Sequence, residues 1–153
     1  HKKLAELEKE GKLKAVITQN IDGLHQAAGS RNVLELHGSV HRNYCMKCGK
    51  FYDVNFIIAS KGIPRCSCGG IVKPDVVLYE EPLNSHVIGK AVDYIEQADV
   101  LIVGGTSLVV YPAAGLINYF RGSKLVLINK TPTSMDRRAD LVINDSIGKV
   151  FED

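Results

Sequence analysis

The chain has 153 residues, which is enough for one domain with a real hydrophobic core and short for two. Hydrophobic residues make up 45% of it and the formal net charge is only +2, so nothing in the composition indicates binding to nucleic acid or to an anionic membrane. The longest apolar runs, such as Val100–Val103, have the length of a strand, whereas a membrane-spanning helix needs about 20 apolar residues. No secretory signal follows the first residue, His1, and we expect that sequence upstream of it has been lost.

The first segment predicts a helix, a strand and a polar turn. Residues 3–10 have helix-forming composition, and Gly11 stands where a glycine often ends a helix. The apolar, β-branched run Lys14–Thr18 predicts a buried strand, and the turn QNIDG follows it directly.

Residues 38–75 predict an inserted zinc-binding module, because cysteines, glycines and basic residues replace any long apolar pattern. The cysteines are spaced C-x2-C and then C-x-C, and a glycine follows each pair: Cys45, Cys48, Cys66 and Cys68. Four thiolates suit tetrahedral Zn²⁺ and leave no open position for water, so the metal would be structural. The alternatives are two redox or free-thiol pairs that bind nothing, or a site in which His41 replaces one ligand. Since a chain with a good core does not need a disulfide framework, we expect a cytoplasmic protein.

The remainder alternates strands and helices. In chain order we predict strand Val76–Tyr79, a helix from Asn84 to Gln97, strand Asp99–Val103, a helix near Pro112, and strands Lys124–Ile128 and Leu141–Ile143. Continuously apolar strands separated by helices indicate a parallel sheet covered on both faces. The predicted fold is a doubly wound, Rossmann-like α/β domain, formed by residues 1–37 and 76–153, with the zinc module of residues 38–75 inserted in it.

The polar turn allows two interpretations. Ligands of doubly wound sheets bind beyond the carboxyl ends of the strands, so Gln19, Asn20 and Asp22 would face the crevice. Asn and Asp side chains can instead hydrogen-bond their own backbone and build the turn. The local sequence favours neither interpretation.

His37, in LELHGS, is a second candidate. A lone histidine is more often structural than catalytic, but Gly38 and Ser39 keep its neighbourhood open. With a pKa near neutrality, histidine is the natural general base for a hydroxyl group.

A glycine turn follows strand Asp99–Val103. The backbone N–H groups at Gly105, together with Thr106 and Ser107, could reach phosphate oxygens. The signal is weak, because the full G-x-G-x-x-G pattern is absent and any tight turn between strand and helix favours glycine. Asn129 and Lys130 end the next strand and could meet a ribose hydroxyl.

Six segments, in the same order and over nearly the whole chain, resemble the sirtuin family of the bacterial type: TQNIDGLHQAAG, LELHGS, the four cysteines, KPDVVLYEE, VGGTSLVVYPA and LINK. The resemblance implies an NAD-dependent protein-lysine deacylase that carries structural Zn²⁺ and consumes NAD as a cosubstrate. Its products would be nicotinamide, O-acyl-ADP-ribose and free lysine, and its partner an acyl-lysine protein or peptide.

The resemblance also implies individual roles. His37 would be the base for a ribose hydroxyl of NAD, with Asn20 and Asp22 lining the nicotinamide pocket. The cofactor-binding set would be Gln19, Asn20, Asp22, Gly105, Thr106, Ser107, Asn129, Lys130, Ser146 and Ile147. The substrate peptide would contact Val76, Val77 and Tyr79, with Val77 beside the acyl-lysine.

Two departures from the family pattern stand out. The family's F-G-E reads Tyr79-Glu80-Glu81 here, so a glutamate replaces a glycine at the peptide-binding edge. The family's opening G-A-G-I-S…D-F-R segment is absent, so we expect an N-terminally truncated chain whose sheet lacks its first strand. The alternatives to deacylation are an NAD-dependent mono-ADP-ribosyltransferase and a non-catalytic zinc-ribbon fragment.

Overall fold

The computed structural model describes residues 1–152. Its elements, in chain order, are α1 (Lys2–Lys9), β1 (Val16–Thr18), α2 (Leu24–Ala27), β2 (Val33–Glu35), β3 (Gly38–Cys45), β4 (Phe51–Asp53), α3 (Val54–Ala59), β5 (Val72–Val76), α4 (Ser85–Glu96), β6 (Val100–Gly104), a 3-10 helix (Ala113–Tyr119), β7 (Lys124–Ile128), a short 3-10 helix (Asp136–Arg138), β8 (Leu141–Ile143) and α5 (Ile147–Val150). None of these helices combines the length and the apolar composition that crossing a membrane would require.

The parallel strands form two groups. β1 pairs with β2, and β6, β7 and β8 pair in that order, with every pairing parallel as predicted. Among residues 1–152, β1 and β6 are not paired with each other and belong to separate sheets. The parallel pairings agree with the predicted α/β fold.

One hydrophobic core nevertheless supports both groups of strands. α4 begins at its cap, Asn84, and buries Ala91 and Ile95. These side chains pack in one cluster with Leu34 of β2, and Leu101 of β6 lies against the same cluster. α4 therefore packs against β2 and β6 in one core, and Ile17 of β1 lies against the same cluster.

The predicted zinc module is a three-stranded antiparallel sheet, in the order β4-β3-β5, with α3 beside it. The predicted strand Val76–Tyr79 is wrong, because β5 covers Val72–Val76 and ends where its pairing with Gly38 ends. Tyr79 and Glu80 form a turn instead. Pairing with β3 determines where β5 begins and ends. The strand therefore includes polar residues and a proline, which an apolar sequence pattern does not predict.

Candidate active site and zinc centre

The four cysteines converge as predicted. Their sulfur atoms all lie within 4.8 Å of one another, with 3.5 Å between Cys45 Sγ and Cys68 Sγ and 3.6 Å between Cys48 Sγ and Cys66 Sγ. Gly70 makes room for the cluster, since a Cβ atom there would lie 2.6 Å from Cys45 Sγ. Four thiol sulfurs at these separations form the donor set of a tetrahedral structural zinc site.

The thiols strongly influence one another's ionisation. The backbone N–H of Cys68 and the hydroxyl of Tyr52 lower the pKa of Cys66 to about 5. The backbone N–H of Gly70 lowers the pKa of Cys68, but the neighbouring thiols outweigh it and raise that pKa to about 12. Thiolates this close repel one another unless a cation lies between them. The cluster therefore fits Zn²⁺, which would be held by the four sulfurs and link the two knuckles of the module.

His37 lies in a turn between β2 and β3 and is half-buried. Its Nδ1 donates to the carbonyl oxygen of Gln19, 3.0 Å away, so the neutral ring has Nε2 free to accept a proton. Its own carbonyl oxygen accepts a hydrogen bond from the Val77 N–H at 3.0 Å. His37 thus joins the polar turn after β1 to the segment that follows β5.

The polar turn combines the two interpretations that its sequence allowed. Asp22 builds it, since its Oδ1 accepts from the Leu24 N–H at 3.0 Å at the start of α2. The Asn20 side chain is exposed and makes no hydrogen bond with any residue from 1 to 152, so it is available to a ligand. Gln19 contributes its carbonyl oxygen to His37.

The carboxyl ends of β6, β7 and β8 meet at the glycine turn. The Thr106 N–H donates to Asn129 Oδ1 at 3.0 Å, whereas Asn129 Nδ2 is buried without a partner among residues 1–152. Ile147 packs against Gly104, which places Ser146 and Ile147 beside this turn. The side chains of Ser107 and Lys130 are exposed at the same edge. A buried amide with an unused donor at the end of a parallel strand fits a ligand hydroxyl such as that of NAD ribose.

The predicted peptide-binding residues lie at the end of β5 and in the segment that follows it. Val76 and Val77 are partly buried, and Tyr79 is fully exposed. Glu80 has a φ of 69°, the left-handed conformation that glycine adopts most readily, which agrees with its place in a pattern that has glycine.

Residues 1–112 match the protein family described as "Sir2 family". The chain belongs to the Sir2 family. An NAD-dependent protein deacetylase of Clostridium perfringens (strain 13 / Type A) is 72% identical over 153 residues, and one of Clostridium tetani (strain Massachusetts / E88) is 69% identical. This Sir2-family chain is covered to 99% in both alignments but spans only 63% and 62% of those relatives.

Solved structures agree with the family fold. Sir2 in complex with the inhibitor EX-527, 2'-O-acetyl-ADP-ribose and a deacetylated p53 peptide superposes with a TM-score of 0.91 at 41% identity, covering 99% of this chain and 67% of that one. Sir2Tm bound to a propionylated peptide gives a TM-score of 0.91 at 42% identity, covering 99% of this chain and 66% of that one.

Contacts that the sequence analysis did not predict connect the segments of the candidate site. His41 Nε2 donates to the Asp22 carbonyl oxygen at 2.9 Å, so it binds the polar turn and is no zinc ligand. Arg42 donates to the carboxylates of Glu35 and Asp75. Burial lowers the pKa of Arg42, but these hydrogen bonds outweigh it and raise the pKa on balance. No local sequence signal identifies such contacts, because they join distant segments.

Proposed function

We propose that the protein containing this chain is an NAD-dependent protein-lysine deacylase. One observation carries the proposal: His37 is bonded through its side chain to the polar turn after β1 and through its main chain to Val77. A base held between a candidate nicotinamide pocket and a candidate peptide strand can act on both substrates at once.

The chemistry of His37 supports a role as general base. Its Nδ1 hydrogen bond to Gln19 fixes the ring orientation and stabilises the imidazolium that forms when Nε2 takes a proton. The proton would come from a ribose hydroxyl of NAD. When bound, NAD would supply the anomeric carbon that the acyl oxygen of lysine attacks as nicotinamide leaves. Water would then complete the transfer of the acyl group to the ribose, so the products would be free lysine, nicotinamide and O-acyl-ADP-ribose.

The remaining residues would hold the two substrates. Asn20 and Asp22 would line the nicotinamide pocket beside Gln19, and Gly105, Thr106 and Ser107 would bind the phosphate and ribose region. The buried Nδ2 of Asn129 would donate to the adenosine ribose, near Lys130, with Ser146 and Ile147 beside the adenine. Val76, Val77 and Tyr79 would contact the acyl-lysine peptide.

Two further expectations belong to this proposal. Residues 38–75 would act as the zinc module and residues 1–37 and 76–153 as parts of the NAD-binding domain, and zinc would take no part in catalysis. We also propose that the protein is cytoplasmic and acts on protein or peptide partners without binding membranes or nucleic acid directly.

The test is deacylation of an acetyl-lysine peptide by the complete protein, followed by mass spectrometry of both products. His37→Ala should abolish turnover and leave zinc content and folding intact. His86→Ala is the matched control, because His86 is exposed at the start of α4. Near wild-type turnover by His37→Ala would contradict the assignment, and ADP-ribosylated protein in place of free lysine would establish the transferase alternative.

A further inference from the structure

The ladder between β3 and β5 is interrupted beside the candidate active site. Ser39 pairs with Asp75 and Asn43 pairs with Pro74, so the residues from Val40 to Arg42 have no partner on β5. Proline has no N–H to donate to a ladder, and strands bulge at such positions. The bulge leaves three residues of β3 without partners on β5, and it lies opposite the step from Pro74 to Asp75, just before β5 reaches His37.

Arg42 provides a side-chain connection across this gap. Its Nε donates to Asp75 Oδ2 at 2.9 Å, and its Nη1 donates to Glu35 Oε2 at 2.6 Å. The side chain of Glu35 is only 8% exposed, and its second oxygen accepts from Gln26 Nε2 at 2.9 Å. One planar guanidinium therefore joins the end of β2 to β5, a geometry that the single charge of lysine could not reproduce.

Both carboxylates stand next to residues of the candidate site. Glu35 lies two positions before His37, and Asp75 immediately precedes Val76. Arg42 and the bond from Val77 N–H to the His37 carbonyl oxygen thus hold β5 to the His37 turn from two sides. None of the hydrogen bonds of Arg42 reaches β6, β7 or β8, where the NAD-binding residues are proposed to lie.

We propose that Arg42 is a positioning residue that acts by bridging Glu35 and Asp75. This bridge fixes Val76 and Val77, the segment proposed to bind the acyl-lysine peptide, relative to the base His37. The inference rests on the proposed function. Because Arg42 would act only through Glu35 and Asp75, its loss should weaken the binding of the peptide and leave the binding of NAD nearly unchanged.

The test uses the complete protein, an acetyl-lysine peptide and NAD, with Kd for the peptide measured by calorimetry and KM for each substrate measured by turnover. Arg42→Met should raise the peptide Kd and KM about tenfold, the effect of one charge-assisted hydrogen bond, and change the NAD KM less than twofold. Asp75→Ala should have a similar effect, and adding it to Arg42→Met should cause little further loss. Asp75→Asn, which keeps an acceptor for Nε, should retain most of the peptide affinity.

Lys12→Met is the matched control, because it breaks an exposed 2.7 Å ion pair with Glu10 away from the site. Should Arg42→Met fail to fold with Glu35 unpaired, Asp75→Ala decides the question, since it leaves the bond between Arg42 and Glu35 in place. A wild-type peptide Kd in a folded Asp75→Ala protein, or equal losses in Asp75→Asn and Asp75→Ala, would overturn the proposal. A wild-type protein that neither binds nor deacylates the peptide would instead overturn the proposed function, and this inference with it.

Discussion

The α-carbon of Gly38 lies so close to Asp75 that a Cβ atom on residue 38 would overlap with the carbonyl oxygen of Asp75. Gly38 also has a φ of 79°, which side chains rarely adopt. Residues other than glycine are therefore disfavoured at the position after His37 for two independent reasons, one steric and one conformational.

Replacing Gly38 tests both reasons. Gly38→Ala should destabilise the folded protein by about 3 kcal/mol or more, because the strand pair must separate as well as accept a strained φ. Gly62→Ala is the matched control, since Gly62 has a φ of 76° and a Cβ atom added there would meet no atom within 4 Å, so about 1 kcal/mol is expected. Equal midpoints of urea unfolding for the two variants would show that contact with Asp75 has no role.

The cysteine cluster predicts metal content. Purified protein should contain about one equivalent of Zn²⁺, and Cys48→Ala should release it and loosen the module, because metal binding and folding are coupled in such sites. Elemental analysis measures the metal, with Ser67→Ala as the control between two ligands. A metal-free protein whose thiols are all reduced would contradict the prediction.

The unused donor of Asn129 predicts an effect on NAD. Asn129→Asp keeps the oxygen that accepts from the Thr106 N–H but removes Nδ2, so the KM for NAD should rise about tenfold with little change in stability. Asn55→Asp adds the same charge at an exposed position of α3 and should leave that KM unaltered. An unchanged KM in Asn129→Asp would remove this residue from the site.

The cap of α4 predicts a moderate loss of stability. Asn84 Oδ1 accepts hydrogen bonds from the N–H groups of His86 and Val87, at 3.0 and 3.2 Å. Asn84→Ala should lower the free energy of unfolding by about 1 kcal/mol, whereas Asn84→Asp should be nearly neutral because aspartate caps equally well. Chemical denaturation of both variants against the wild type measures the difference.

Asp140 predicts a dependence of stability on pH. The Leu125 N–H, which donates to Asp140 Oδ2 at 2.8 Å, lowers the pKa of Asp140, and Lys124 lowers it further. A lowered pKa in the folded state stabilises the fold above the ordinary aspartate pKa of about 3.9, and this contribution is lost as the pH falls through the folded pKa. The wild type should therefore be more stable than Asp140→Asn at neutral pH, and this difference should shrink in acid. A difference that is constant down to about pH 2 would contradict this.

The sequence predicts most of the elements whose burial follows from their own residues. β7 and β8 have the predicted bounds because each contains a continuous apolar run, and α4 lies within the predicted range from Asn84 to Gln97. α3 was not predicted, because the six residues after its capping aspartate are too few to show a helical period that would distinguish a helix from a loop.

The site divides in the same way. The four cysteines stand in a recognisable local pattern, so their spacing is sufficient to select them. The local context of His37 left its role open, and only the family resemblance implied that it acts as a base. The contact of Arg42 with Asp75 joins residues 33 positions apart and depends on a bulge opposite Pro74. Such a contact arises only when tertiary pairing brings two unremarkable charged residues together.

The free edge of β6 affects how the polypeptide behaves in solution. Within residues 1–152 this strand pairs on one side only, and Val100 and Ile102 are 50% and 45% exposed. Unpaired N–H and C=O groups beside apolar side chains form a template on which strands of other molecules can add. A polypeptide of residues 1–153 made alone should therefore self-associate as its concentration rises.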